Sequence, residues 1–157
     1  MKNNILRTAL LFAVILTGGV LLNANAQSVT GSIAGGTVTP GVASRATVVL
    51  NIPAGLHVNS NRPSSEYMIP TTVRASASGV KIGAVGYPRG RNRKFEFSEK
   101  SINVYEGRAV FGFNVTVPVN YRRSSVRVNV TVRYQACTNE VCYAPKTKQI
   151  TLTARVR

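Results

Sequence analysis

Apolar residues recur at every second position through most of the chain. Val126, Val128, Val130, Val132 and Tyr134 alternate with Arg127, Asn129, Thr131, Arg133 and Gln135. Ala46, Val48, Leu50 and Ile52 do the same, as do Phe111, Phe113, Val115 and Val117, and Ile150, Leu152, Ala154 and Val156. A period of two sends successive side chains to opposite faces, so each run has one apolar and one polar side. That pattern suits half-buried antiparallel strands. The residues in these runs are mostly Val, Thr, Ile, Phe and Tyr, which fit a pleated surface. No helical period of useful length competes with them.

Weaker strand candidates are Ser28–Ile33, 71–77, 80–86 and Ile102–Tyr105. Turn chemistry separates the runs: Pro40-Gly41, Pro53-Ala54-Gly55, Ser78-Gly79, Pro88-Arg89-Gly90 and Glu106-Gly107. About seven to nine short strands in a chain of this length predict an all-β fold, an immunoglobulin-like two-sheet antiparallel β-sandwich. Residues 37–157 form that single domain, and residues 27–36 read as a flexible lead-in.

Residues 1–26 read as a secretory signal. Lys2 and Arg7 supply the positive start, Ala9 to Leu16 the apolar stretch, and Ala24-Asn25-Ala26 the small-x-small cleavage form. The apolar run is broken by Thr17-Gly18-Gly19, which argues against an uncleaved anchor. The expectation is an exported, periplasmic chain, soluble after cleavage.

Composition removes several chemistries. The chain has no Asp, one His and two Cys. No Asp-based triad can form, and the His and Cys cannot close a tetrahedral zinc site without carboxylates. No metal and no cofactor is expected. His57, beside the Pro53-Ala54-Gly55 turn, reads as a packing residue rather than a metal ligand or proton carrier.

Cys137 and Cys142 enclose Thr138-Asn139-Glu140-Val141, between a strand ending at Gln135 and one starting near Thr147. That spacing cannot join two sheets, so the pair belongs at a hairpin tip, where cross-strand Cα distances suit a disulfide. Export allows the bond to persist. By parity Cys137 follows the polar register of Arg133 and Gln135, which directs its sulfur to solvent or beneath a neighbouring loop, away from the core. A loop this short returns only about 2 kcal/mol of chain entropy. The spacing alone fits either a local structural clip or an exchangeable bond, since accessible disulfides are the labile ones.

The stretch Tyr134-Gln135-Ala136-Cys137-Thr138-Asn139-Glu140-Val141-Cys142-Tyr143-Ala144-Pro145 resembles the signature of the amino-terminal periplasmic domain of the thiol:disulfide interchange protein DsbD family. Gly55-Leu56-His57-Val58-Asn59-Ser60-Asn61-Arg62-Pro63 with Tyr67-Met68-Ile69-Pro70-Thr71, and Lys94-Phe95-Glu96-Phe97 with Val104-Tyr105-Glu106-Gly107, are similar to its other typical stretches. The resemblance spans residues 37–154. It implies an immunoglobulin-like fold and a protein-disulfide reductase, or thiol:disulfide interchange, activity. It implies that Cys137 and Cys142 are catalytic, with Cys142 forming the mixed disulfide and Cys137 resolving it. It implies a cap of Phe95, Glu96 and Phe97, with Phe97 the first choice of shield and Phe95 the second. Tyr134, Gln135 and Pro145 support the motif. The partners implied are thioredoxin-like redox proteins, a separate membrane electron transporter and oxidised periplasmic proteins, with cytochrome c biogenesis among the possible destinations. The chain departs from the family in three respects. Its inter-cysteine gap is one residue shorter than in well-known members, Ala144 replaces a common Pro, and Glu96 is the only acid close to the cap.

Twenty Lys and Arg stand against five acids, a net charge of +15. The run Arg89-Gly90-Arg91-Asn92-Arg93-Lys94 reads first as a solvated loop, then as a surface for weak attraction to anionic membrane or an acidic redox partner. Export argues against nucleic acid. The competing function is a non-enzymatic binding or structural sandwich with a static disulfide.

Overall fold

The computed structural model describes residues 27–64 and 67–157, so the signal segment expected over residues 1–26 lies outside the described residues. The described strands are β1 (Ser28–Ile33), β2 (Thr37–Val38), β3 (Ala43–Asn51), β4 (His57–Asn59), β5 (Thr72–Ser76) and β6 (Lys81–Ile82). They continue with β7 (Arg91–Arg93), β8 (Ile102–Tyr105), β9 (Arg108–Thr116), β10 (Ser125–Tyr134), β11 (Ala136–Cys137) and β12 (Lys146–Val156). Among the described residues no helix is long and apolar enough to cross a membrane.

The fold is the all-β, immunoglobulin-like sandwich. One sheet runs β1-β3-β9-β6 and the second β2-β12-β10-β5. Their inward faces carry the alternating residues: Ala46, Val48 and Leu50 of β3, Phe111, Phe113 and Val115 of β9, and Val126, Val128 and Val132 of β10 are each fully buried. Arg45, Asn114, Arg127 and Arg133, the alternate members of the same strands, are exposed. Burying each large apolar side chain contributes about 1.5–3 kcal/mol, which fixes the register, because a slip of one residue would invert every face.

A third, smaller sheet runs β11-β4-β8-β7 and is the departure from a plain two-sheet scheme. It grows out of the other two. β8 passes into β9 through Glu106-Gly107, where Gly107 takes φ 64°. That left-handed conformation favours glycine. β10 passes into β11 through Gln135 alone. The central strand β4 is buried at all three positions, so both faces of this sheet are covered. Val58, Tyr105 and Ala136 face the main core. On the outer face Ile102 and Val104 pack with Phe95 and Met68 as a satellite cluster.

The stretch 27–36, expected as a flexible lead-in, carries β1 and a 3-10 turn over Ala34–Gly36. β1 pairs with β3 from Ser28↔Asn51 to Ile33↔Ala46, and Ile33 is fully buried. Its Gly and Ser content hides it from a hydrophobic count. Gly31 is needed there because a Cβ would meet the Thr47 carbonyl oxygen at 2.5 Å.

Candidate functional site

Cys137 and Cys142 are bonded, with Cα atoms 4.0 Å apart. The backbone places them opposite one another without help from the sulfurs. The Thr138 N–H donates to the Val141 carbonyl at 2.8 Å, and the Tyr143 N–H donates to the Ala136 carbonyl at 2.9 Å. Those two bonds flank Cys137↔Cys142 as a non-hydrogen-bonded antiparallel pair, the type whose side chains lie closer. Thr138 also closes the tip, its Oγ1 accepting from the Glu140 and Val141 N–H groups at 3.2 and 3.1 Å. Gln135 Nε2 donates to the Tyr143 carbonyl at 3.1 Å, which ties the outgoing strand to the incoming one.

The two sulfur-bearing residues sit in different environments. Cys137 is fully buried, whereas Cys142 is exposed, as are Val141 and Tyr143 on either side of it. Register explains the burial. β11 pairs with β4, Ala136 opposite Val58 and Cys137 opposite His57. Ala136 and Val58 belong to the main core. Cys137 and His57 therefore share the outer face of the third sheet, away from that core and beneath a covering layer. The parity of Cys137 is as expected, and its environment is the covered one of the two foreseen.

The loop after β7 lies over the same face. His57 and Phe95 stack with ring centroids 4.0 Å apart and planes 13° apart. Phe97 stacks on Phe95 at 5.4 Å and 5°. Phe97 is also 6.5 Å from His57 with planes 8° apart, so it lies beside Phe95 in a parallel three-ring cluster, not beyond it. Phe95 is 7% exposed and Phe97 38%. The Phe95 carbonyl accepts from the Ser98 N–H at 3.2 Å, and the Lys94 ammonium donates to the Glu99 carbonyl, so the loop is tied to itself. Arg93 donates through Nε and Nη2 to Glu106 Oε2 at 3.1 and 2.9 Å, pinning β7 to the β8–β9 turn. Glu96 is exposed.

Tyr134 is fully buried in the main core at the end of β10, and Pro145 is exposed just before β12. Burial pushes the Tyr134 phenol up from its ordinary value. The other family-like stretches also meet here. Thr71 Oγ1 donates to the Asn59 carbonyl at 2.6 Å and Asn59 Nδ2 donates to the Ile69 carbonyl at 3.0 Å. These bonds hold the segment around Ile69-Pro70-Thr71 against β4.

His57 packs beside its turn as expected, but its place next to Cys137 was not visible in the sequence. It is 2% exposed, and among the described residues its Nε2 is buried without a hydrogen-bond partner. Burial holds its pKa below the ordinary imidazole value, with Glu106 pulling weakly the other way. A long-range register, not a local motif, brings it beside Cys137. Only its position directly after the Gly55 turn, in a short segment with no polar alternation, could have hinted at burial on both faces.

The basic run leads directly into the loop that carries Phe95. β7 presents Arg91, Asn92 and Arg93 at a sheet edge, all exposed. Beside it Arg62, Arg89, Arg91, Asn61 and Asn103 line an open cleft of about 970 Å³. Among the described residues no group of three or more His, Cys, Asp or Glu stands together to hold a metal ion.

The family model described as thiol:disulfide interchange protein DsbD, N-terminal, matches residues 32–154. Among solved structures, the chain is similar to the DsbD N-terminal domain of Neisseria meningitidis in its reduced form. The identity is 18% and the TM-score 0.46, over 70% of this chain and 80% of that one. It is also similar to the N-terminal periplasmic domain of ScsB from Proteus mirabilis, at 12% identity and a TM-score of 0.51, over 84% of this chain and 48% of that one. The latter likeness is one of fold. No curated protein sequence matches the chain.

Proposed function

The chain belongs to the family of the N-terminal domain of the thiol:disulfide interchange protein DsbD, and from that premise we propose that it is an exported thiol:disulfide exchange domain. Its Cys137–Cys142 pair relays electrons from a thioredoxin-like donor, itself fed by a membrane transporter, to oxidised periplasmic proteins. The observation that carries this reading is the asymmetry of the pair, one sulfur-bearing residue exposed and its partner fully buried.

Exchange is a displacement at sulfur by a thiolate. The donor thiolate attacks the Sγ of Cys142. The Cys137–Cys142 bond breaks, its electron pair goes to the Cys137 sulfur, and that sulfur takes up a proton. The donor's second thiolate then displaces Cys142 and leaves as a disulfide. In the delivery half, the Cys142 thiolate attacks a substrate disulfide. Cys137 displaces the substrate sulfur from Cys142, and the substrate departs reduced by two electrons.

Phe95, Glu96 and Phe97 act as the cap. Phe95 anchors the loop in the satellite cluster, and Phe97, the more exposed ring, is the part an incoming protein displaces. Burial of Cys137 limits its oxidation by small molecules. The exposed Arg91–Arg93 edge adjoins the cap and favours an acidic partner face, with weak attraction to anionic membrane by the same charge.

The hydrogen bonds of Thr138 and Tyr143 argue against the competing static clip, because they close the hairpin tip without the sulfurs. The test is reduction by thioredoxin. Oxidised protein is incubated with reduced thioredoxin, thiols are blocked, and the mass is read. Rapid reduction is expected. In a second arm an oxidised disulfide protein replaces the reduced thioredoxin: the Cys142 thiolate of Cys137→Ser attacks that disulfide and accumulates as a mixed disulfide, since no resolving thiol remains, and Cys142→Ser accumulates little. A bond that survives the donor refutes the proposal.

A further inference from the structure

We propose that His57 is the proton acceptor for the resolving step, taking the thiol proton of Cys137 as that sulfur attacks the mixed disulfide at Cys142. This rests on the exchange reading above.

Geometry supplies the first support. His57 is the direct cross-strand partner of Cys137 in the β4–β11 register. Side chains in that relation share a face, with Cβ atoms about 4.5–5.5 Å apart. The second support is the orphaned nitrogen. Among the described residues, Nε2 of His57 is buried with no partner. Leaving a buried polar atom unpaired costs about 1–3 kcal/mol, so a fold tolerates it where the atom has other work. The third is need. Cys137 is fully buried. Exchange runs through the thiolate, so the Cys137 proton must be lost as that sulfur attacks. Resolution then requires a base, and the register places His57 opposite that residue.

The surroundings leave His57 as the acceptor. Cys137 faces it from β11. Glu106 acts on it from the β8–β9 turn, but that carboxylate is already engaged by Arg93 of β7. Phe95 and Phe97 face it from the cap, whose Lys94 and Glu96 are exposed. Desolvation keeps the ring neutral at pH 7, which is the form that accepts a proton. In the step, the Cys137 S–H bond gives its proton to His57. The freed electron pair forms the bond to Cys142 Sγ, and the bond from Cys142 to the partner sulfur breaks. The departing partner thiolate then takes the proton back from the imidazolium or from water. The pair is oxidised by two electrons and the partner reduced by two.

The test uses dithiobis(nitrobenzoate) on the chemically reduced protein in a stopped-flow spectrometer. Attack by Cys142 releases the first thionitrobenzoate, and resolution by Cys137 releases the second. In His57→Gln the second phase slows about 100-fold at pH 7, within the span of a lost general base. The first phase is unchanged, and the deficit shrinks as pH rises, where hydroxide removes the thiol proton without a side-chain base. A deficit equal at every pH, or shared by both phases, overturns the proposal. Should that variant fail to fold, the unmodified protein decides. The chain has a single His, so its imidazole resonance is unambiguous. The second-phase rate must break at the pH where that resonance titrates, and a rate insensitive to that titration overturns the assignment. Failure of the exchange reading shows elsewhere, as oxidised protein that thioredoxin cannot reduce, and leaves both phases readable.

Discussion

Reducing Cys137–Cys142 should leave the protein folded and only modestly weaker. The bond closes a loop with a sequence separation of 5. Chain-entropy arithmetic for so short a loop gives an upper limit of about 2 kcal/mol at 25 °C. Roughly 4 °C of Tm per kcal/mol suits a domain of this size, so reduction should lower Tm by no more than about 8 °C. The structure argues for less, since Thr138 and Tyr143 hold the hairpin tip through backbone and side-chain bonds that do not involve the sulfurs. The sharper form is a redox cycle on Thr138→Ala. That substitution removes the Oγ1 acceptor of the Glu140 and Val141 N–H groups. It should cost about 0.5–1.5 kcal/mol in the reduced protein, the net worth of such bonds, and visibly less in the oxidised one, where the disulfide holds the tip. Thermal and urea unfolding followed by circular dichroism, with and without a phosphine reductant, measures all four corners. Loss of cooperative unfolding on reduction would refute the reasoning, because the bond would then be a staple. So would an equal cost of Thr138→Ala in both redox states.

The two cap rings should separate in a mutational test: Phe95→Ala lowers stability by about 3 kcal/mol through loss of the satellite core, read by urea unfolding. Phe97→Ala should cost under 1 kcal/mol in the same assay, because its ring is already 38% exposed. Gly31→Ala should destabilise by about 1–3 kcal/mol, since the new Cβ meets Thr47 backbone at 2.5 Å and Leu152 at 2.9 Å. Because burial lowers the pKa of His57, the unfolded chain binds a proton near pH 6.5 that the folded chain refuses. Stability should therefore fall as pH drops below about 6.5, down to the folded pKa, and be flat in this respect above it. Replacing His57 with Gln should flatten that acid limb in pH-dependent urea unfolding.

The strands with full alternation were legible because their periodicity reports burial directly, as β10 and β9 illustrate. β1 was harder to weigh, since Gly31 and the serines around it leave a low apolar count, and only the pairing partner β3 reveals why a small residue is required. The third sheet was least visible. β4 carries His57, Val58 and Asn59 buried together, so no period marks it. Its identity depends on β8 and β11, which lie far away in sequence. The cysteine pair was legible as a hairpin-tip disulfide because its spacing is local. What covers Cys137 was not, because the covering face is assembled from β4 and the loop after β7.

That third sheet is what turns an ordinary hairpin tip into a directional site. Had β10 continued straight into β12 through the same tip, both cysteines would lie at a solvated edge and either sulfur could be attacked. Instead the chain leaves the second sheet after Tyr134, and Ala136–Cys137 joins β4. Cys137 is thereby buried on the face that His57 shares, while Cys142, still on the returning arm, remains exposed. On the proposed exchange reading, attack by a bulky protein thiolate then has one accessible sulfur, and the buried one serves the intramolecular step. On that reading the leaving sulfur belongs to the residue opposite His57. Substituting the β4 side chains that receive β11 should thus alter which cysteine is trapped before it alters the overall fold. In Val58→Ala, a rise in mixed disulfides through Cys137 at unchanged secondary structure is the expected sign, and trapping that stays confined to Cys142 while β11 has demonstrably detached from β4 would refute it.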